Sequence, residues 1–245
     1  MKKILVTGGS KGIGLECVKN FLAQGWHVIC CSREISTWNK NKEKFPELQK
    51  VEYYACDVAN ENDVATMFNT IKKNHGDLDA AINNASPKLA SSGNFDVVKI
   101  DSMRETLESD LWSVVLCLKY ELDLIKENGS IVNVTSINGI RPIPGAAMYG
   151  ASKHAVESLT KSIALEAVSN NIRVNSVAPG VTWTPRWDAR AEDNPNIRQD
   201  VEEIVPIKRF ADPTEIVNAI DWLISDKSSY VVGHTLVVDG GLSLK

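Results

Sequence analysis

Short apolar runs alternate along the whole chain with stretches whose apolar residues recur every three to four positions. Ile4–Val6, His27–Cys31, Val51–Cys56, Leu78–Ile82, Ile131–Val134, Ile172–Val177 and His234–Val238 are the runs. Between them, Ile13, Cys17, Val18, Phe21 and Leu22 have helical spacing, as do Val64, Met67, Phe68 and Ile71. The series Met103, Leu107, Leu111, Val114, Val115, Leu118, Leu122 and Ile125 predicts one long helix, and a further helix is expected over 149–168. Strand–helix–strand repetition predicts a parallel sheet covered on both faces. With right-handed crossovers the economical result is an α/β fold: a single-domain, Rossmann-like, doubly wound parallel sheet over residues 1–245.

Local signals punctuate this pattern. Gly25 follows the first helix as its C′ residue. Asp212-Pro-Thr-Glu215 reads as a helix start, with Asp as N-cap, Pro at N1 and Glu closing a capping box. No linker, repeat or low-complexity segment interrupts the chain. The one long irregular region is expected at 183–208, which holds Trp183, Arg186, Trp187, Arg190, Glu192 and Asp193. Long loops of this kind are commonly lids, and a substrate loop is expected here.

Composition excludes several classes. The formal net charge of −4 and the lack of a basic run argue against a nucleic-acid partner. No apolar stretch approaches the ~20 residues that span a bilayer. Only Ile4, Leu5 and Val6 follow the leading lysines, so a buried first strand is favoured over a secretory signal. The five cysteines form no CxxC pair, and Cys30 and Cys31 should point to opposite faces of a strand. They are expected as buried thiols of a cytoplasmic protein. His27, His75, His154 and His234 show no metal-ligand spacing, so no metal is expected.

Two segments carry chemistry. Thr7-Gly-Gly-Ser-Lys-Gly-Ile-Gly14 joins the first strand to the first helix. A pyrophosphate there would meet unpaired N–H groups and the positive end of the helix dipole. Gly8 permits the tight turn, Gly12 the approach of backbone to phosphate, and Gly14 close packing of helix on sheet; Ser10, Lys11 and Ile13 complete the turn. Ser32 and Arg33 end the second strand, where an acid would bind a ribose 2′-hydroxyl and a cation a 2′-phosphate. Positions 30–33 hold no acid, while Lys11 and Arg33 are within reach, so NADP(H) is favoured over NAD(H).

The second segment is Tyr149-Gly-Ala-Ser-Lys153. One helical turn stacks the two side chains on one face. A cation near 4 Å at an effective dielectric of about 20 favours phenolate by up to ~4 kcal/mol, which makes the phenol a tuned proton donor. Ser136 closes the fifth strand, on the ligand-facing edge of such a sheet, and can donate to the same oxygen.

Together these residues resemble the short-chain dehydrogenase/reductase family from end to end. Thr7–Gly14 looks like its cofactor turn, Asp57-Val58 its adenine-contacting pair, and Asn83-Asn84-Ala85 its Asn-Asn-Ala-Gly strand end, with Ser86 in the last place. Ser136, Tyr149 and Lys153 match its catalytic Ser and Tyr-x-x-x-Lys. Pro179-Gly180 through Thr182 to Thr184 resembles the segment that binds the nicotinamide carboxamide, and Val238-Asp-Gly-Gly241 its C-terminal signature. Asp110 falls where the family has a fourth catalytic residue, an Asn. The resemblance implies an NADP(H)-dependent enzyme interconverting a small carbonyl compound and an alcohol, with Asn84, Ala85, Tyr149 and Lys153 touching cofactor. It also implies a homotetramer or homodimer joined through the long helices and the last strand. A 3-oxoacyl-carrier-protein reductase is the alternative within this class, and a non-catalytic dinucleotide-sensing scaffold the alternative outside it. Specificity is expected in 86–100 and 183–208, with Trp183 and Trp187 as an apolar wall or a subunit contact.

Overall fold

The computed structural model describes residues 1–86 and 89–245. Pro87 and Lys88, inside the expected specificity segment, lie outside the described residues. The strands are β1 Lys3–Thr7, β2 His27–Ser32, β3 Glu52–Ala55, β4 Leu78–Asn83, β5 Ile125–Val134, β6 Arg173–Pro179 and β7 Thr235–Val238. They form one sheet in the order β3-β2-β1-β4-β5-β6-β7, and every pairing is parallel. The chain winds outward from β1 to β3, then crosses back to β4. That reversal between β1 and β4 opens a crevice at the carboxyl ends of the strands.

The helices are α1 Gly12–Ala23, α2 Ile35–Lys44, α3 Glu61–His75, α4 Ile100–Leu107, α5 Ser113–Leu124, α6 Ala147–Ala167, α7 Pro185–Asp193, α8 Ile197–Ile204 and α9 Pro213–Ile224. Two cores follow from strand alternation. Ile29 and Cys31 face Met67, Phe68, Val114 and Val156 of α3, α5 and α6. Val28 and Cys30 face Phe21, Trp38, Ile216 and Ile220 of α1, α2 and α9. Cys30 and Cys31 thus sit on opposite faces, as period two requires. All five cysteines are buried and free, and burial pushes the Cys17 and Cys30 thiols up. Among the described residues no helix is long and apolar enough to cross a membrane.

The end signals operate as read. Gly25 has φ +81° after α1, and Asp212 and Glu215 close a capping box at α9. Three elements differ from expectation. The long helix is α4 and α5 joined by a π-turn, Glu108–Trp112, and Ile125 begins β5 instead of ending the helix. The region 183–208 is not irregular, because α7 and α8 lie within it. Neither of these helices buries a residue: α7 has no apolar stripe, and α8 carries only the short series Ile197, Val201 and Ile204, too brief to stand out from a loop. Helix α2 escapes the same test, since Trp38 is its one buried residue.

Candidate active site

The glycine turn is shaped by contacts that a side chain would destroy. Gly8 has φ +68° and Gly12 φ +54°. A Cβ on Gly14 would lie 2.2 Å from the Gly8 oxygen and 2.4 Å from Asn84 Nδ2. Gly9, which sequence reasoning passed over, packs as closely: its Cβ would meet that of Cys30 at 2.7 Å. Asn84 Nδ2 donates to the Thr7 and Gly8 oxygens at 3.2 and 3.3 Å. The Thr7 hydroxyl accepts from the N–H groups of Asn84 and Ala85 at 3.0 and 3.2 Å. The ends of β1 and β4 are thereby stitched together below the turn, and Asn41 fixes its far side by donating to the Ser10 oxygen at 2.7 Å. Lys11 occupies the N-cap of α1 without a side-chain cap, which leaves the first helical N–H groups, from Gly12 and Ile13 onward, available to an anion. A Cβ on Gly12 would stand 3.1 Å from Thr184 Cγ2, so the segment after β6 closes over the turn.

The rest of the expected cofactor surface lies along the same edge. The Ser32 and Tyr53 hydroxyls are 2.9 Å apart, and Tyr53 donates to the Ser32 oxygen at 2.8 Å. Arg33 is exposed. Lys11 lies 3.6 Å from Glu34, an acid one place beyond the positions counted in the sequence; the Thr37 hydroxyl and then Lys11 hold that carboxyl below its ordinary range. Asp57 accepts from the Ala59 N–H at 3.1 Å, and Val58 is buried. Pro179 ends β6. Gly180 could not carry a side chain, since its Cβ would meet Asp239 Cα at 2.7 Å, and the buried Thr182 donates to the Gly180 oxygen at 3.4 Å.

Ser136 stands after β5 and caps the turn Ile137–Gly139, its Oγ accepting from the Asn138 N–H at 3.1 Å. That leaves its own proton free to be donated. A Cβ on Gly139 would be 2.9 Å from the Lys153 oxygen, so the glycine draws this turn against α6. Lys153 Nζ lies 5.6 Å from the centre of the Tyr149 ring. Its ammonium is 3% exposed and 3.3 Å from Asp110 Oδ1, which is 1% exposed. A buried ammonium requires such a partner. Ser86 Oγ donates to the same Oδ1 at 2.7 Å. The two positions that depart from the family pattern, 86 and 110, therefore touch each other. Ser86 does not have positive φ, so replacing glycine there imposes no backbone strain. The π-turn carries Asp110, as such turns often carry functional groups.

Helix α7 reaches back to this centre. Arg186 donates to the Ser86 oxygen at 2.9 Å. Arg190 is pushed down by burial and by Arg186 against the opposing effect of the Tyr149 phenol. Trp183 and Trp187 both meet Phe210 edge-on, with ring centres 4.9 and 5.0 Å away.

Two buried acids beneath the site were missed in the sequence. Glu121 accepts from Asn83 Nδ2 at 2.8 Å, and burial, opposed by that bond, pushes it up to about 7. Glu157 accepts from Thr135, Ser176 and Thr235. The available signal was an acid in register with an apolar stripe, as Glu121 stands three places after Leu118.

Known proteins are similar to this chain over nearly its whole length. A family model described as enoyl-(acyl carrier protein) reductase matches residues 8–243. A 2,5-dichloro-2,5-cyclohexadiene-1,4-diol dehydrogenase of Sphingobium indicum is 33% identical over 99% of this chain and 97% of its own. A 3beta-hydroxysteroid dehydrogenase of Eggerthella lenta is 33% identical over 99% and 94%. Among solved structures, ElxO with NADP bound superposes with a TM-score of 0.92 at 30% identity, covering 100% of this chain and 99% of that one. The full-length match in sequence and fold makes this chain a member of the short-chain dehydrogenase/reductase family.

Proposed function

We propose that the protein is an NADP(H)-dependent oxidoreductase that interconverts a carbonyl compound and a secondary alcohol, with Tyr149 as its acid and base. The observation that carries this reading is the buried Lys153 beside Tyr149, at the sheet edge that bears the glycine turn. The cofactor fits the residues present: a glycine cradle that side chains would fill, and a helix N-terminus without a cap. Gly8 to Gly14 would hold its pyrophosphate, Asp57 and Val58 its adenine end, and Thr184 its nicotinamide end. When bound, the nicotinamide supplies or accepts the hydride.

The chain's own residues handle the proton. Tyr149 donates it to the developing alkoxide in reduction and removes it from the alcohol in oxidation. Ser136 donates a hydrogen bond to that oxygen as charge builds. Lys153 stabilises the phenolate, and Asp110 and Ser86 hold Lys153 in place. Lys11 and Arg33 favour a 2′-phosphate, since Glu34 answers one of two positive charges. The tryptophans and Arg190 on α7 border the substrate. Exposed Trp112, Leu165, Val237 and Leu244 lie where the family's subunits meet, which supports a homotetramer. The carrier-protein reading has the wording of the family description behind it, but Arg186 is bonded to Ser86 and Arg190 rests on Trp187; against the scaffold reading, the proton-transfer residues are intact.

A carbonyl and alcohol panel assayed with NADPH and NADH in parallel tests the proposal. Tyr149→Phe should lower turnover by about 10²–10⁴ while NADPH binding stays nearly unchanged. Equal turnover in the variant, or no turnover by wild type across the panel, overturns it. A preference for NADH refutes the cofactor assignment alone.

A further inference from the structure

The opposite edge of the sheet holds a cluster that the catalytic reading does not use. His27 opens β2, Glu52 opens β3, and His75 ends α3. Three independent periodicities bring them together. His27 shares a strand face with Ile29, two places on. Ile29 is in register with Glu52 across the β2–β3 pair. Ile29 packs in the same core as Ile71, and His75 stands one helical turn beyond Ile71. Histidines that look scattered in sequence thus meet with ring centres 4.9 Å apart.

One ligand atom from each residue lies within 4.8 Å of the other two. Glu52 Oε2 is 2.7 Å from His75 Nε2 and 3.5 Å from His27 Nε2. The shorter approach is close enough for a hydrogen bond, yet neither buried Nε2 has a hydrogen-bond partner. The ring direction therefore runs beside the carboxylate oxygen instead of into it. An ion about 2.0–2.2 Å from both atoms would also lie beside that line. The carboxylate has an outer contact of the kind that orients a metal ligand. Tyr54 donates to Glu52 Oε1, which turns Oε2 toward the imidazoles. Lys3 holds the end of α3 by donating to the His75 and Asp77 oxygens.

We propose that His27, Glu52 and His75 form a binding site for one borderline divalent transition-metal ion of the zinc class, which clips β2, β3 and α3 together. Two imidazoles and one carboxylate select Zn²⁺, Co²⁺ or Ni²⁺ over Mg²⁺ and Ca²⁺, which take oxygen sets. The side chains are 17–29% exposed, so water completes the coordination. The five residues from His27 to the carboxyl end of β2 put this ion roughly 16 Å from the cofactor edge, and its role is structural.

Chelator-treated full-length protein is titrated with ZnSO₄ by calorimetry and with CoCl₂ by visible absorption, and melting temperature is followed in parallel. Wild type should bind one equivalent and melt at higher temperature, with no response to MgCl₂. His75→Ala and Glu52→Gln should each weaken binding at least tenfold, and Tyr54→Phe by about 10–100-fold. Unchanged NADPH affinity in each variant shows that it is folded. No binding by wild type at about 100 times a micromolar Kd, or binding that survives both ligand substitutions, overturns the proposal.

Discussion

Asp110 at one edge of the sheet and Glu52 at the other each stand among basic or polar neighbours, and the two are treated differently. At the carboxyl edge Asp110 is 1% exposed, bonded by Ser86 and paired with Lys153. At the amino edge Glu52 is 29% exposed, and the imidazoles crowd it without hydrogen-bond geometry. Desolvation accounts for the contrast. A buried charge must have its partners in place before the fold is stable, whereas a partly exposed carboxylate tolerates neighbours that do not bond to it and leaves them available to a ligand.

Removing one carboxylate at each edge tests that account most sharply. Asp110→Ala strands a buried ammonium and should cost about 3–5 kcal/mol in urea unfolding. Glu52→Gln, with metal chelated, should cost about 1 kcal/mol or less, because Glu52 is partly exposed and makes no hydrogen bond to either imidazole. Equal costs would break the comparison.

A second test stays at the carboxyl edge and asks what burial does to an acid without a cation. Glu121 is raised from the ordinary 4.5 to about 7, by burial first, with Asn83 opposing. The folded state therefore holds this proton more tightly than the unfolded state. Its contribution to stability is most favourable below pH 4.5 and declines as pH rises to about 7, by on the order of 3 kcal/mol. Glu121→Gln should remove that decline. The stability of the variant minus that of wild type should widen from pH 4.5 to 7 and then level off, and a constant difference would show that Glu121 does not titrate there.

The edges also differ in how far the sequence discloses them. The carboxyl edge is built from contiguous motifs, because a turn, a strand end and one helical turn each fix several neighbouring residues. Gly8 to Gly14 and Tyr149 to Lys153 could therefore be read directly, as could the seven apolar runs of the buried sheet. The amino-edge cluster combines residues 25 and 23 places apart, and its members meet only through strand register and helix phase. The spacing rule for metal ligands does not reach a cluster of this kind. Helices α2, α7 and α8 were illegible for another reason: they are short and bury almost nothing, so at most two or three spaced apolar residues mark them. Contact between Ser86 and Asp110 was hidden too, since each looked like a separate departure from the family pattern.

That contact yields the smallest effect and the closest test of whether the carboxyl edge works as one paired unit. Ser86→Ala removes the donor to Asp110 and adds no backbone strain, because the residue does not have positive φ. Asp110→Asn keeps the shape and removes the charge. If the hydroxyl serves mainly to hold the carboxylate, it loses most of its value once the carboxylate is an amide. The double variant should then be less destabilised than the two single variants combined, by about 1 kcal/mol in a double-mutant cycle measured by urea unfolding. Strict additivity would mean that Ser86 and Asp110 act independently, and Lys153 would then be held by Asp110 alone.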